Sequence, residues 1–96
     1  MQKKDKYQLR KNANILKPIV IIGKDGLTAN ILDSIKKAIK KHELIKINVL
    51  KTYDGMEIKE LGQLIADTIA GELILVVGRV ITIYKKNEEI NAYGIN

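Results

Sequence analysis

The sequence predicts a small α/β domain in which a four-stranded mixed sheet packs against three helices. Short apolar runs alternate with segments of helical periodicity over most of the chain. The last two apolar runs are separated only by Gly78-Arg79, the spacing of a tight antiparallel hairpin. With 96 residues, the chain has the size of one domain with one modest core. The predicted order is therefore α-β-α-β-α-β-β, with parallel pairing across the helical crossovers and an antiparallel last pair.

Residues 3–14 are predicted to form a short basic helix. Leu9 and Ala13 are four residues apart and would share an inward face, with Tyr7 or Leu16 beside them. The basic side chains would stay in solvent, namely Lys3, Lys4, Lys6, Arg10 and Lys11. Pro18 ends this helix, and the continuous β-branched run 19–22 that follows is typical of a strand buried on both faces.

A Gly-x-x-Gly loop, Gly23-Lys24-Asp25-Gly26, joins that strand to the next helix, which Thr28 can cap. The two glycines allow a tight turn and a close approach by another backbone. Free N–H groups at the start of the helix favour anions, and Lys24 adds a positive charge. This pattern suits a phosphate backbone, but it also occurs in turns that bind nothing, so both interpretations stay open at this point.

The helix after the loop has one apolar stripe and one basic face. The stripe consists of Ile31, Leu32, Ile35, Ala38 and Ile39. The opposite face holds Lys36, Lys37, Lys40 and Lys41, with Asp33 as the only acidic neighbour. These lysines are either an ordinary solvated face or an extension of an anion site that starts at the loop.

A strand over 44–50 follows, with one face more buried than the other. Asp54 and Glu57 have the spacing of a capping box for a third helix, whose apolar stripe contains Ile58, Leu61, Ile65 and Ile69. Gly62 lies on the same stripe, where its missing side chain allows close helix-to-sheet packing. The outer face contains Glu60, Gln63 and Asp67 and should repel a phosphate backbone.

The end of the chain is predicted to be a hairpin and a tail. Gly71 has the position of a helix C′ residue, and the strand-like runs 73–77 and 80–84 follow it. Residues 88–96 have no periodicity, so we expect a domain over 1–87 and a flexible tail over 88–96.

Composition and charge narrow the possible functions. The net charge is +6 with a pI of 9.6, and the first 48 residues hold 12 Lys/Arg against 4 Asp/Glu. The positive charge is thus concentrated in the half with the glycine loop, which favours nucleic-acid binding over a generally lysine-rich surface. No apolar run approaches the roughly 20 residues of a membrane span, and the basic start lacks the apolar core of a signal peptide, so we expect a cytoplasmic protein without a membrane partner.

Catalysis and metal binding have little support in the sequence. There is no cysteine, and the single histidine, His42, has no evident nucleophile partner. Neither the P-loop nor the dinucleotide-binding glycine motif is present. We therefore expect no enzyme activity, no cofactor, no metal and no small-molecule substrate.

Four segments in order give the chain a resemblance to the YhbY-like, or CRM-domain, family of RNA-binding proteins. They are the basic helix running into Leu16-Lys17-Pro18, the loop Ile22-Gly23-Lys24-Asp25-Gly26-Leu27-Thr28, the run His42-Glu43-Leu44-Ile45-Lys46, and the ending Val76-Val77-Gly78-Arg79-Val80-Ile81-Thr82-Ile83-Tyr84. The resemblance implies a fold similar to the C-terminal domain of bacterial translation initiation factor three. It also implies RNA binding at the glycine loop and adjoining basic surfaces, in ribosomal precursor particles or in intron splicing.

The resemblance assigns the RNA-binding role directly to Gly23, Lys24 and Gly26. Asp25 belongs to the same loop, and helical phase adds Lys36, Lys37 and Lys40. The first basic helix adds Lys3, Lys4, Arg10 and Lys11 to the expected RNA-binding residues. Lys85 stands where the family often has arginine, which keeps the positive charge but loses the bidentate guanidinium fork. Whether Lys85 contacts RNA is therefore left undecided, and the same holds for Arg79.

Three alternatives differ in their architecture or ligand. A KH domain also uses a Gly-x-x-Gly loop, but between two helices, whereas β-branched residues precede the loop here. The four tyrosines are the only aromatic residues, so a base-stacking sheet as in an RRM is disfavoured. We therefore expect recognition of structured RNA by its phosphates and shape. We also expect the protein to be a monomer. The remaining alternative is a non-catalytic protein-interaction module of a larger ribonucleoprotein particle.

Overall fold

A computed structural model describes residues 1–95 of the chain. The helices and strands follow the predicted order: α1 (Lys3–Ala13), β1 (Val20–Ile22), α2 (Ala29–His42), β2 (Leu44–Val49), α3 (Ile58–Ile69), β3 (Glu72–Val77) and β4 (Val80–Tyr84). The predicted small α/β domain with a four-stranded mixed sheet is confirmed.

The strands lie in the order β1-β2-β4-β3. β1 and β2 are parallel across the α2 crossover, as predicted, and β3 and β4 form the antiparallel hairpin. The prediction of parallel pairing across the α3 crossover is wrong, because β4 lies between β2 and β3 and is antiparallel to both. Burial explains this placement: β4 is buried over most of its length, whereas both ends of β3 are exposed and suit an edge.

The main core lies between one face of the sheet and the helices α2 and α3. Ile35 and Ile39 of α2 and Ile65 and Ile69 of α3 pack onto the inward residues of the strands. A Cβ on Gly62 would lie 3.0 Å from Leu73 Cδ1, so this glycine allows α3 to approach the sheet closely, as predicted.

The second face of the sheet is covered by α1 and the end of the chain. Leu9 and Ala13 are fully buried there, as their spacing predicts. Two residues near the end of the chain also pack on this face: Ile95 is only 7% exposed and the Tyr93 ring meets the Tyr84 ring edge-on, with 6.2 Å between centroids. The domain bounds and the flexible tail expected over 88–96 stay predictions, and Asn96 lies outside the described residues.

β1 is an edge strand and is not buried on both faces, which corrects the expectation for the run 19–22. Val20 and Ile22 enter the main core, but Ile19 and Ile21 are about half exposed. The reason is that α1 packs mainly on β2 and β3, so it leaves this part of the second face open. A β-branched run has the same sequence pattern in either position.

Helix ends follow the predictions only in part. Thr28 caps α2, since its hydroxyl oxygen accepts a hydrogen bond from Ile31 N–H at 3.1 Å. The capping box predicted from Asp54 and Glu57 is wrong, because α3 begins after Glu57 without any side-chain cap. The left-handed residue at its end is Ala70, with φ +58°.

Gly71 is needed for a different reason than the predicted cap. A Cβ on this residue would lie 2.9 Å from the Tyr84 carbonyl oxygen, so Gly71 allows the backbones of β3 and β4 to approach. Over residues 1–95, no helix has the length and apolar character to cross a membrane.

Candidate nucleic-acid interface

Three loops meet where β1 and β2 end, and Arg79 ties two of them together. Its Nε donates to the Val49 carbonyl at 2.9 Å, and its Nη2 donates to the carbonyls of Leu50 at 2.6 Å and Tyr53 at 3.2 Å. Arg79, in the β3–β4 hairpin, thereby fixes residues 50–53. These bonds give Arg79 a positioning role that its place in a turn did not reveal.

The two glycines of the Gly-x-x-Gly loop have different roles. Gly26 has φ +71°, its N–H donates to the Gly23 carbonyl at 3.0 Å, and a Cβ would lie 3.2 Å from Tyr53 Cε1. Gly23 has no left-handed φ, and a Cβ there would lie at an ordinary 3.7 Å from Leu50 Cδ1. The turn itself therefore requires Gly26 but not Gly23, and the RNA-binding role expected of both glycines stays a prediction.

The loop presents backbone donors beside an exposed charge. The side chains of Lys24 and Asp25 are both exposed. Within residues 1–95, no protein acceptor receives a hydrogen bond from the backbone N–H groups of Lys24, Asp25, Ala29 and Asn30. The last two belong to the first turn of α2, where N–H groups and the helix dipole favour negative charge. An anion placed here would meet these donors together with the Lys24 ammonium.

The predicted lysine face of α2 is exposed but is divided into two sides. Lys37 forms an ion pair with Asp33 at 3.1 Å, four residues earlier on the same helix. Lys36 and Lys40 lie on the side that faces α3, where they line a groove. Exposed pairs within one helix are weak, so the Lys37 ammonium stays available to other anions.

The basic residues of α1 lie on the other side of the sheet from α2. Lys3, Lys4 and Lys11 are exposed, with the Lys11 ammonium 5.6 Å from the centre of the Tyr7 ring. Arg10 donates through Nε to the Ile74 carbonyl at 3.3 Å, which joins α1 to β3. The sheet thus separates the two groups of cations, and a ligand that contacts both has to pass round an edge of the sheet.

Glu43 is an important residue that the sequence analysis did not single out for a role. It is fully buried, and its carboxylate accepts hydrogen bonds from the backbone N–H groups of Asn87 and Ala92, both at 2.7 Å. Burial, followed by the negative charge of Glu43, raises the pKa of Tyr84 and of Tyr93 above 10.0. The available signal was a carboxylate directly before a buried strand, because a buried carboxylate requires hydrogen-bond donors.

The outer face of α3 is acidic, as predicted. Glu60, Gln63 and Asp67 are exposed, and Gln63 Nε2 donates to Asp67 Oδ1 at 2.9 Å. In the described part of the chain, no group of three or more His, Asp or Glu side chains is arranged to hold a metal ion.

Comparison with known proteins identifies the family. The CRS1 / YhbY (CRM) domain matches residues 1–85, and the chain belongs to this family. A Haemophilus influenzae protein named as an RNA-binding protein is 34% identical over 90 residues, covering 90% of this chain and 86% of that relative. YqeI of Bacillus subtilis, named as a probable RNA-binding protein, is 30% identical over 86 residues, covering 90% of this chain and 88% of the relative.

A solved structure agrees with the fold. The solution structure of the hypothetical protein SAV1595 from Staphylococcus aureus superposes with a TM-score of 0.77 at 33% identity. The match covers 91% of this chain and 90% of that protein. The arrangement of helices and sheet is therefore shared over nearly the whole domain.

Proposed function

We propose that this protein binds structured RNA through its Gly-x-x-Gly loop and basic helices, as a non-catalytic factor in assembly of the large ribosomal subunit precursor or in another RNA maturation step. The observation that carries the proposal is the exposed Lys24 beside unpaired backbone N–H groups at the start of a lysine-rich helix. The names of the Haemophilus influenzae and Bacillus subtilis relatives support RNA as the ligand class.

The loop can hold a phosphate without reading a base. Its free N–H groups donate to phosphate oxygens, the α2 dipole favours the negative charge, and Lys24 adds a Coulombic attraction. Because Gly23 has no Cβ and no neighbour closer than ordinary contact, an RNA backbone can approach the chain there. Asp25 lies in the same turn, and its negative charge opposes the binding of an anion. The proposal therefore requires that the backbone donors and Lys24 together outweigh this one carboxylate when RNA binds.

The distribution of aromatic side chains favours recognition by shape. Tyr84 is buried, and Tyr53 and Tyr93 are half-buried and engaged with protein groups. Tyr7 is exposed but stands alone on α1. A row of bases has no aromatic platform to stack on, and phosphate contacts supply most of the affinity.

The basic residues on both sides of the sheet suit a ligand with some bulk. A folded RNA can meet α2 with one strand and reach Lys3, Lys4, Arg10 and Lys11 with another, which an isolated short strand cannot do. We include in the proposal that the protein acts as a monomer in the cytoplasm, with ribosomal RNA or a pre-ribosomal particle as its partner.

A protein-interaction module is the second candidate, and one observation favours it. The two edge strands expose apolar side chains, with Ile21 of β1 54% and Val77 of β3 63% exposed. Such a surface can bury against a protein partner in a larger ribonucleoprotein particle.

Competition separates the two candidates. A labelled structured RNA is bound to the protein and challenged with unlabelled structured RNA, with heparin, or with an acidic protein of equal charge. RNA binding by shape predicts that only the unlabelled RNA displaces efficiently. Equal displacement by all three would contradict shape recognition and would favour the interaction module.

The salt dependence tests the contribution of α2. Each phosphate contact adds about −0.9 to the log–log slope of affinity against salt on a duplex and about −0.7 on a single strand. Replacement of Lys36, Lys37 and Lys40 by glutamine should flatten the slope by roughly two units. An unchanged slope would show that these lysines are only solvated.

A further inference from the structure

A groove lies between the C-terminal halves of α2 and α3. Its volume is about 700 Å³. One side is α2, the other is α3, and the segment after β4 closes one end. A space of this size is typical of small-ligand pockets and can accommodate one or two nucleotides.

The groove combines apolar side chains with a basic rim. Its apolar part consists of the exposed Ala70 and the aliphatic stems of Lys36 and Lys40, whereas Ile39 and Ile69 lie beneath them and are only 3% and 4% exposed. The charged residues of the rim are Lys36, Lys40, Lys85, Lys86, Glu88 and Glu89. Lys86 forms an ion pair with Glu88 at 3.4 Å, whereas Lys36, Lys40 and Lys85 have no acidic partner at ion-pair distance within residues 1–95. The free charge of the groove is therefore positive, above an apolar surface.

The groove and the Gly-x-x-Gly loop are connected by one helix. Lys40 lies eleven residues after Ala29, the first residue of α2, so the two sites are about 17 Å apart along the helix axis. At an axial rise of about 3.4 Å per nucleotide, roughly five nucleotides cover that distance. One RNA molecule can therefore occupy both places.

We propose that this groove binds a short single-stranded stretch of RNA next to the folded part held by the loop. A nucleobase lies over Ala70 and the aliphatic stems of Lys36 and Lys40, and the flanking phosphates contact the ammonium groups of Lys36, Lys40 and Lys85. The inference rests on the proposed RNA-binding function, and it adds single-stranded RNA as a ligand and the groove as its binding site. An acidic peptide would also complement the positive charge of the groove. RNA is favoured because α2 connects the groove to the proposed RNA-binding loop.

A matched pair of variants tests the groove. The first variant carries Lys36→Gln and Lys85→Gln on the groove, and the control carries Lys41→Gln and Lys59→Gln, two exposed lysines outside the groove, with the same change in charge. The probe is a fluorescently labelled single-stranded RNA decamer of mixed sequence. We expect the groove variant to bind about fivefold more weakly and to lose about 1.4 units of salt slope, with little change in the control.

An abasic decamer with the same ribose-phosphate backbone tests the apolar part. Because the base lies over Ala70 and the lysine stems, the abasic decamer should bind more weakly than the normal one. Equal binding of the two decamers, or equal losses in the groove variant and the control, would overturn the inference. Displacement of the decamer by polyglutamate as efficiently as by RNA would also overturn it and indicate a site for acidic peptides.

A position-specific label gives an independent measurement. The chain has no cysteine, so Thr68→Cys places one fluorophore at the groove and Gln63→Cys places one on the outer face of α3. The decamer should change the emission of the first label and not of the second. If the groove label does not respond while a structured RNA still binds in a loop-dependent manner, the groove inference fails and the proposed function stands. If neither RNA binds, the proposed function fails as well.

Discussion

Removal of the Glu43 carboxylate should destabilise the domain by about 3 kcal/mol and free the end of the chain. The carboxylate accepts two hydrogen bonds from backbone N–H groups at 2.7 Å, and Glu43 is fully buried. A hydrogen bond to a charged group contributes about 1.5–3 kcal/mol. The donors belong to Asn87 and Ala92 near the surface, where water can replace the lost acceptor in part, so the lower end of this range applies to each bond.

The backbone at Glu43 provides a control for this magnitude. Its φ of +62° is unfavourable for any residue with a Cβ, and glycine relieves about 1 kcal/mol of that strain. Glu43→Ala should therefore cost about 3 kcal/mol, whereas Glu43→Gly should cost about 2 kcal/mol because it loses the same bonds but relaxes the backbone.

Urea unfolding followed by circular dichroism gives both free energies of unfolding. Hydrogen exchange at the amides of Asn87 and Ala92 shows whether the end of the chain is released, and both amides should exchange faster in either variant. A loss below about 0.5 kcal/mol in Glu43→Ala, with unchanged exchange, would refute the role assigned to this carboxylate.

Three further predictions concern the loop, the core and the acidic helix. Gly26→Ala should destabilise the fold by about 1 kcal/mol or more because it forces a left-handed φ and a contact with Tyr53, whereas Gly23→Ala should melt like the parent protein. The buried Tyr84 hydroxyl has no hydrogen-bond partner within residues 1–95, so Tyr84→Phe should leave the free energy of unfolding at pH 7 unchanged or raise it by about 1 kcal/mol. Burial raises the pKa of Tyr84 in the folded state above 10.0, so the contribution of this residue to the free energy of unfolding is fully present below pH 10. That contribution declines as the pH rises through the raised pKa, because the unfolded state ionises first. Urea unfolding at pH 8 and pH 11 should therefore show a smaller loss of stability at pH 11 in Tyr84→Phe than in the parent protein. Glu60→Gln with Asp67→Asn should strengthen RNA binding by less than about 1 kcal/mol, an effect that disappears at high salt, and a loss of binding with the fold intact would indicate an acidic protein-contact surface instead.

Local signals were sufficient for much of the fold. The stripe from Ile31 to Ile39 and the cap at Thr28 predicted α2, because helical period and capping depend on neighbouring residues only. The hairpin at Gly78-Arg79 was predicted for the same reason. Both features are confirmed by the structure.

Features set by tertiary contacts were missed. The exposure of Ile21 depends on where α1 packs, and the insertion of β4 between β2 and β3 depends on the burial of whole strands. The hydrogen bonds that Asn87 and Ala92 donate go to Glu43, which is more than forty residues away in sequence. The local periodicity of the sequence carries no information about such long-range hydrogen bonds.

At the candidate site, too, local signals were sufficient for some features and tertiary contacts set the others. The exposure of Lys24, Lys36 and Lys40 agrees with helical phase and turn chemistry. The separation of the α1 cations by the sheet, and the anchoring of a neighbouring loop by Arg79, required the three-dimensional arrangement.

The central claim is that the Gly-x-x-Gly loop binds RNA, and Lys24→Asp tests it most directly. The variant places two aspartates in an exposed turn, with Lys59→Asp on α3 as a control for the same change in charge. Affinity for a labelled structured RNA is measured by fluorescence anisotropy at several salt concentrations, with thermal melting as the test of folding. We predict at least about a tenfold loss of affinity for Lys24→Asp, or about 1.4 kcal/mol, a much smaller loss for Lys59→Asp, and unchanged melting for both. Retention of full affinity by a folded Lys24→Asp variant would show that the loop is only a turn and would contradict the claim.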